Sequence, residues 1–204
     1  MMNNSINFKG SFYIDFKRCP ANKRYEAYEL VDIADEEGGS AYFSEDPSNY
    51  YATCSMPDNK DYLVETYLKN LGINYRKLTK EDLFSEKSVK ARMEVPEHRK
   101  NTHKIVYVKP REFEEVFKQA DTYLGEYPME QPERYDGFKD YLKTYQPITA
   151  SEVYLSEENG NLSVNFQDGR HRYCVFRDMK FSSIPMAMDK ESIELARKYN
   201  LLAE

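Results

Sequence analysis

The first third of the chain is dominated by short runs in which apolar and polar residues alternate. Residues 11–16 and 25–33 follow this period of two, and a Pro-Ala-Asn-Lys segment typical of a turn separates them. Residues 41–43 and 50–54 are two shorter runs of the same kind. The pattern predicts a strand-rich amino-terminal part whose first two strands pair as a hairpin.

The following segment changes to the period of a helix. Between residues 59 and 71 the apolar residues recur at intervals of three and four, and Gly72 is placed to end the helix. Residues 87–103 are charged, contain a proline and show little apolar periodicity. We therefore predict a helix over 59–71, and a long loop or linker over 87–103 as the boundary between two halves.

Beyond that boundary a strand leads directly into a helix. Residues 104–109 are typical of a strand, and Pro110 suits the first turn of a helix. The apolar residues that give this helix one face are Phe113, Val116, Phe117 and Ala120. A Pro- and Glu-rich loop is predicted between Gly125 and Gly137.

The last part continues the alternation of helix and strand. A short helix is predicted over 138–145, and strands over 153–156 and 162–166, joined by a turn at 157–161. The sequence thus predicts an α+β or α/β protein: a strand-rich region at 1–100 with one helix, and an α/β module at 104–204. Both regions also fit within one domain.

Composition limits the classes of protein that fit. A length of 204 residues with 40% hydrophobic content is enough for one core or two small ones. No apolar run approaches the length of about 18 residues that a membrane span needs, and no secretory signal is recognisable. We expect a cytoplasmic protein. The net charge of −6 argues against coating of nucleic acid, so any DNA contact is expected to be local.

The cysteines and histidines do not form a metal-binding motif. Three of each occur, with large separations and no paired spacing. They are Cys19, Cys54 and Cys174, and His98, His103 and His171. We expect buried thiols, with Cys174 inert among Val175 and Phe176, and no preformed structural metal site.

The segment Asp168-Gly169-Arg170-His171-Arg172 stands between a predicted strand and a predicted helix. Glycine allows the backbone to turn sharply and a ligand to approach closely. Asp168 is expected to cap the amide groups of the first helical turn. Those amides and the helix dipole favour an anion. The turn is therefore predicted to hold a phosphate-like group.

Charge supports the same interpretation. Residues 167–180 carry four basic residues against two aspartates in an otherwise acidic protein. Arginine matches phosphate oxygens with its planar fork, and His171 adds a donor or moves a proton. Taken singly, each residue also fits a structural role: Asp168 paired with an arginine, His171 in the core, Arg177 in solvent. Two arginines and a histidine in one helical turn repel one another, which favours a bound anion.

The order of these segments resembles the ParB/sulfiredoxin superfamily over about the last 100 residues, the size of a small domain. The resemblance rests on Gln-Pro-Ile at 146–148, on Phe-Gln-Asp-Gly-Arg-His-Arg-Tyr at 166–173 with Arg177-Asp178, and on Ile-Pro-Met-Ala-Met at 184–188. Within the superfamily, the motif looks most like plasmid fertility-inhibition factors of the Osa and FiwA kind. It implies a mixed sheet with flanking helices.

The resemblance also implies a ligand. Residues Gly169 to Arg172 match the turn that holds a nucleotide triphosphate in ParB proteins and ATP in sulfiredoxins, so ATP or another NTP with Mg²⁺ is the expected cofactor. The reactive cysteine of sulfiredoxins is replaced by Arg170, which excludes their chemistry. ParB proteins have a glutamate there and a downstream helix-turn-helix that this chain lacks, so a partition protein is not expected.

Hydrolysis requires a carboxylate that positions water or a metal. The candidates are Glu126, Glu130 and Glu133, with Arg134 nearby, in the loop before Gln-Pro-Ile. The predicted catalytic residues are Glu133, His171 and Arg172; the phosphate is assigned to the turn from Asp168 to Arg172 and to Arg134. The metal ligands stay unassigned, and a solvated acidic loop explains each glutamate equally well.

Two hypotheses on function follow. In the first, which the resemblance to Osa implies, the chain is an NTP hydrolase and a DNase that inhibits transfer of a plasmid or mobile element. In the second, it is a non-catalytic protein that binds and blocks a transfer or defence complex. The sequence leaves open whether it is an enzyme. A sequence-specific DNA-binding protein is poorly compatible with the net charge of −6.

Overall fold

Helices and strands are interspersed along the chain in the computed structural model, which describes residues 10–16, 19, 21–44, 51–57, 59–125 and 130–203. The fold is mixed α/β, as the sequence predicts. Contacts divide the chain into two compact units: unit 1 comprises Met1–Ser88 and Asp140–Gln146, and unit 2 comprises Val89–Lys139 and Pro147–Glu204. The division into a region 1–100 and a module 104–204, within one domain or two, stays a prediction.

Unit 1 contains a four-stranded antiparallel sheet with the strand order β2-β3-β1-β4. The strands are β1 (Gly10–Asp15), β2 (Ser40–Phe43), β3 (Tyr51–Met56) and β4 (Tyr75–Lys77). The helices are α1 (Ala21–Glu26), α2 (Glu29–Glu36), α3 (Asp61–Leu71), α4 (Lys80–Phe84) and α5 (Glu86–Ala91), the last of which leads into unit 2.

The elements predicted for the amino-terminal part of the chain are partly confirmed. Strands lie where alternation predicts them at 11–16, 41–43 and 51–54, while residue 50 is outside the described residues. The helix over 59–71 is confirmed, and Gly72 ends it in the left-handed conformation with φ of 66°.

The strand predicted over 25–33 is wrong, because helices α1 and α2 occupy this segment. The buried residues Ala27, Leu30 and Ala34 are spaced by three and four and so define a helical face. Tyr25 and Tyr28, which suggested a strand, lie exposed on the surface. Their aromatic character was therefore a misleading signal of burial.

Unit 2 contains a four-stranded mixed sheet with the order β6-β10-β8-β9. Strand β10 pairs antiparallel with β6 and parallel with β8. Strands β8 and β9 form an antiparallel hairpin. The strands are β5 (Met93–Glu94), β6 (His103–Val108), β7 (Ile148–Thr149), β8 (Ser151–Glu158), β9 (Asn161–Asp168) and β10 (Ile184–Asp189). The helices are η1 (Glu97–Arg99), α6 (Pro110–Phe117), α7 (Pro132–Leu142), α8 (Arg170–Asp178) and α9 (Lys190–Lys198); the last three residues of α7 belong to unit 1.

The long loop predicted over 87–103 is wrong, since α5, β5 and η1 lie there, although a boundary between the two units falls inside this range, between Ser88 and Val89. These elements are too short to show a period, and β5 is stabilised by pairing with the distant strand β7. Similarly, the loop predicted up to Gly137 ends earlier, because α7 begins at Pro132 and includes this glycine. Residues 126–129 of that loop are outside the described residues.

The segment predicted as strand, turn, strand, turn and helix is observed in unit 2. Asn159 and Gly160, with φ of 52° and 81°, connect β8 to β9 as a two-residue hairpin loop. Residues Leu162, Val164 and Phe166 of β9 are buried alternately with exposed neighbours. Around Phe166, aromatic rings of Phe113, Phe117 and Tyr173 pack within 6.0 Å between centroids. This core fixes α8 against the sheet.

No helix in the described residues is long and apolar enough to cross a membrane.

Candidate phosphate-binding turn

Gly169 connects β9 to α8 in a conformation that other residues adopt only with strain. Its φ is 86°, and a Cβ placed there would lie 2.7 Å from Ser151 Oγ and 2.8 Å from Arg172 Nη2. The Ser151 hydroxyl donates to the Gly169 carbonyl at 2.9 Å, which holds the turn against β8. The sharp glycine turn predicted from the sequence is therefore present, and Ser151 is a supporting residue that the sequence did not indicate.

Asp168 does not cap α8, contrary to the prediction. Gly169 is the N-cap residue and no side chain accepts from the first helical turn. Instead, Asp168 Oδ1 accepts from the Gly169 N–H at 2.7 Å, and Oδ2 accepts from Arg172 Nη2 at 2.6 Å. The left-handed Gly169 moves the preceding side chain to the glycine amide, so it cannot reach the amides beyond.

The charge of Asp168 is stabilised by two arginines. Partial burial opposes ionisation, but Arg172, the Gly169 N–H and Arg134 outweigh it, so the pKa of Asp168 lies below its usual value. Arg134, in the first turn of α7, is thereby placed within electrostatic reach of the turn. Asp168, Arg172 and Arg134, predicted separately as ligand-binding residues, thus form one electrostatic cluster.

Arg170 and His171 contact a different part of unit 2. Arg170 Nη1 donates to the Thr122 carbonyl at 3.1 Å, and His171 Nε2 lies 3.1 Å from the Glu130 carbonyl. His171 is buried, at 9% exposure. Both side chains therefore connect α8 to the backbone of the segment between α6 and α7.

Arg177 completes this connection. Its Nη2 donates to the Gly125 carbonyl at 2.9 Å, and its Nη1 pairs with Glu114 Oε1 at 2.9 Å. Glu114 also accepts from Tyr123 at 2.6 Å and from Tyr173 at 2.5 Å. Burial and the bond to Glu114 raise the pKa of the Tyr123 phenol to about 12, so it stays a donor. Sequence reasoning missed Glu114, because its partners Tyr173 and Arg177 are distant along the chain.

The amide groups at the start of α8 remain available for an acceptor. Within the part of the chain that the structure describes, no acceptor contacts the N–H groups of Arg170, His171 or Arg172. The Arg172 Nε is also buried and lacks a hydrogen-bond partner there. Free amides at a helix N-terminus and an incompletely used guanidinium are the donors that a phosphate binds.

The predicted catalytic carboxylates are not brought together. Glu126 is outside the described residues, and Glu130 contributes its backbone carbonyl to His171. Glu133 lies exposed in the first turn of α7, next to Arg134. In the described residues, no three His, Cys, Asp or Glu side chains are grouped so as to hold a metal. The donors described near the turn are amide and guanidinium groups.

A second polar cluster surrounds Glu152, which is buried at 1% exposure. Its Oε1 accepts from Arg99 at 2.7 Å and from Tyr154 at 2.9 Å, and its Oε2 lies 3.2 Å from His98 Nε2. Burial opposes ionisation of Glu152, but Tyr154 and Arg99 lower its pKa overall. His98 and His103 approach different oxygens of this carboxylate, a proximity that their spacing in the sequence does not indicate.

The expectation of buried thiols is confirmed for all three cysteines. Burial raises the pKa of the Cys174 thiol to about 11, so it is protonated at neutral pH and is not a nucleophile. The chemistry of the turn therefore depends on its cationic and amide donors.

No protein-family model matches the chain, and no curated protein matches it. Among solved structures, the chain is similar to the oncogenic suppression activity protein, a plasmid fertility inhibition factor crystallised as a gold(I) cyanide derivative. The two are 11% identical, 89% of each chain is covered, and the TM-score is 0.41. A likeness of this degree transfers no residue role, and membership of the ParB/sulfiredoxin superfamily stays a prediction.

Proposed function

We propose that unit 2 binds a nucleotide through its phosphates at the turn from Asp168 to Arg172. The observation that supports this most is the unused donor set: three helix amides without an acceptor and the buried Arg172 Nε without a partner, in the described residues. Buried or terminal donors of this kind are normally satisfied by protein, by water or by a ligand.

In this proposal the phosphate binds at the N-terminus of α8, with Arg172 and Arg134 as the charged donors. Arg170, His171 and Arg177 have a different role, because their side chains bind backbone carbonyls of the segment after α6. They stabilise the surroundings of the turn. This division refines the initial assignment, which gave Arg170 and His171 to the ligand as well.

Asp168 is a competitor of the ligand. Its carboxylate is an anion bound to Arg172 and to the Gly169 N–H, and the side chain is 68% exposed. An exposed ion pair of this type contributes little stability and is readily exchanged. A phosphate that carries more charge and more acceptor oxygens displaces Asp168 from Arg172.

Hydrolysis of an NTP is the enzymatic extension of this proposal. Mg²⁺ usually binds through one or two carboxylates together with the phosphates of its nucleotide, so a preformed cage is not required. Glu133 is the carboxylate we assign to positioning of water or Mg²⁺, because the adjacent Arg134 is within electrostatic reach of Asp168. When bound, the metal supplies charge neutralisation to the phosphates.

Isothermal titration with ATP, CTP and pyrophosphate, with and without Mg²⁺, tests binding. We expect saturable binding that weakens at least about tenfold in Arg172→Ala, since a charge-assisted bond to phosphate is lost. Lys190→Ala, which removes a cation from the first turn of α9, is the matched control. Equal affinity in wild type and Arg172→Ala contradicts the proposal.

Inhibition of plasmid or mobile-element transfer, including a DNase activity, is the biological part of the proposal and comes from the sequence resemblance. Arg172→Ala is the appropriate variant for a conjugation assay, because Arg170 and His171 also stabilise the fold. Loss of inhibition in Arg172→Ala supports a nucleotide-dependent role. Full inhibition by this variant favours a protein that acts by binding alone.

A further inference from the structure

The large hydrophobic side chains that are most exposed in the described residues are three tyrosines of unit 1. Tyr25 is 83% exposed, Tyr28 54% and Tyr62 60%. They lie on or between α1, α2 and α3, whereas the described part of unit 2 has no comparable residue. Exposed aromatic surface is a common feature of protein interfaces.

Helices α2 and α3 are connected at both ends and leave a groove between them. At one end the Tyr67 hydroxyl oxygen lies 2.7 Å from the Glu26 carbonyl oxygen and 2.6 Å from Glu29 Oε2, and its one hydrogen is shared between these acceptors. At the other end Lys60 pairs with Glu37. The groove has a volume of about 370 Å³, and its apolar lining includes Ile33, Leu63 and the rings of Tyr62 and Tyr67.

The rim of the groove is acidic. Residues 29–37 contain five carboxylates and no lysine or arginine. Of these, Asp32, Asp35 and Glu36 contact no cation in the part of the chain described by the structure. Glu36 and Glu37 line the groove directly. The contact of Lys60 with Glu37 is an example, within the protein, of an ammonium bound at this rim.

We propose that this α2–α3 groove docks a basic segment of a partner protein. Apolar side chains of that segment pack on Ile33 and Leu63, and its lysines or arginines contact Glu36 and the Tyr62 ring. Charge selects the partner: a nucleic acid is repelled by the rim, and a second copy presents the same acidic face. The groove consists of residues of unit 1 and the phosphate-binding turn of residues of unit 2, so the two proposals depend on different residues.

The probe for this surface is a short amphipathic peptide with lysine and leucine at helical spacing, titrated into the full chain. We expect saturable binding, weakened at least about tenfold in Tyr62→Ser and in Glu36→Lys, because each variant removes a central contact. Both residues are exposed, so circular dichroism is expected to match the wild type. Each variant tests the groove independently of the other.

Two matched controls separate docking from bulk effects. Tyr25→Ser removes a tyrosine that does not line the groove, and Glu81→Lys makes the same charge change on α4. Both variants are expected to bind the lysine-leucine peptide with an affinity within about twofold of wild type. The proposal is overturned by absence of saturable binding, by equal weakening in Glu81→Lys, or by equal binding of a glutamate-leucine peptide. A dimer in sedimentation that Tyr62→Ser dissociates assigns the groove to a second copy instead.

Discussion

Helices α8 and α9 begin in opposite ways, although each has nine residues and follows a strand of the same sheet. At α9, extended Asp189 accepts from the Ser192 N–H at 2.8 Å, and Glu191 adds an acid to the first turn. At α8, left-handed Gly169 provides no side-chain acceptor, and the first turn has no acid. The chain itself caps an amide of α9, and it leaves the N-terminus of α8 without a side-chain cap in the described residues.

The residues after each cap show the same contrast. A helix N-terminus is normally stabilised by acidic residues and destabilised by basic ones. Helix α8 nevertheless begins Arg170-His171-Arg172, whereas α9 begins Lys190-Glu191. Three of the basic side chains of α8 donate to backbone carbonyls, whereas Arg172 pairs with Asp168. Arg172 is therefore the residue of α8 on which the proposed phosphate site depends.

The largest expected effect concerns Gly169. Gly169→Ala introduces strain at positive φ together with overlap with Ser151, and we expect the free energy of unfolding to fall by about 2–4 kcal/mol. Gly160→Ala is the control, because its φ of 81° is similar but nothing lies within 4 Å of the added Cβ. Denaturant titration of Gly160→Ala is expected to show a loss of about 1 kcal/mol in the free energy of unfolding. Equal losses would show that packing of the turn on Ser151 is unimportant.

The second prediction concerns the caps. Asp189→Ala removes the acceptor of the Ser192 N–H and is expected to lower the free energy of unfolding by about 1 kcal/mol. Asp168→Ala is expected to have a smaller effect, because its carboxylate caps no helical amide and its pair with Arg172 is exposed. Denaturant titration of both variants measures the difference, and a larger loss for Asp168→Ala contradicts the comparison.

The third prediction concerns competition for Arg172. Asp168→Asn removes the anion that occupies this guanidinium, so we expect pyrophosphate to bind about threefold to tenfold more tightly. Glu191→Gln, the same loss of one carboxylate at α9, is expected to leave the affinity unchanged. Titration calorimetry measures both. Weaker binding in Asp168→Asn means that Asp168 supports the ligand rather than competing with it.

The smallest effect is on the pH dependence of stability. The pKa of Asp168 is lower in the folded protein than its usual value of about 3.9, so its ion pair stabilises the fold above that pH. This contribution disappears as the pH falls through the lowered pKa. Wild type is therefore expected to lose slightly more stability on acidification below about pH 4 than Asp168→Asn does. If the free energies of unfolding of the two proteins, measured by denaturant titration, fall in parallel with pH, the effect is excluded.

Much of unit 2 is predictable because its signals are local. Alternation in β9, the Asn159-Gly160 loop and Gly169 each determine conformation through neighbouring residues. In unit 1 the local pattern at 25–33 is misleading, because its tyrosines resemble strand residues but lie on a helical surface. Local patterns do not report whether an aromatic side chain is buried.

The candidate site is less predictable than the fold. Sequence identified the basic residues, but it did not separate Arg172 from Arg170 and His171, whose acceptors are the Thr122 and Glu130 carbonyls. A backbone carbonyl has no signature in the sequence, so these partners are revealed only by the tertiary structure. The predicted contact of Asp168 is also wrong, because the amide that its carboxylate reaches depends on the φ of Gly169.

The most direct test of the phosphate-binding turn is an amide chemical-shift titration of the ¹⁵N-labelled chain with pyrophosphate. We expect saturable shifts of the Arg170, His171 and Arg172 amides, with little change at Glu191 and Ser192, whose N-terminus is already capped. Absence of shifts at 170–172, or equal shifts at both helices, would contradict the account.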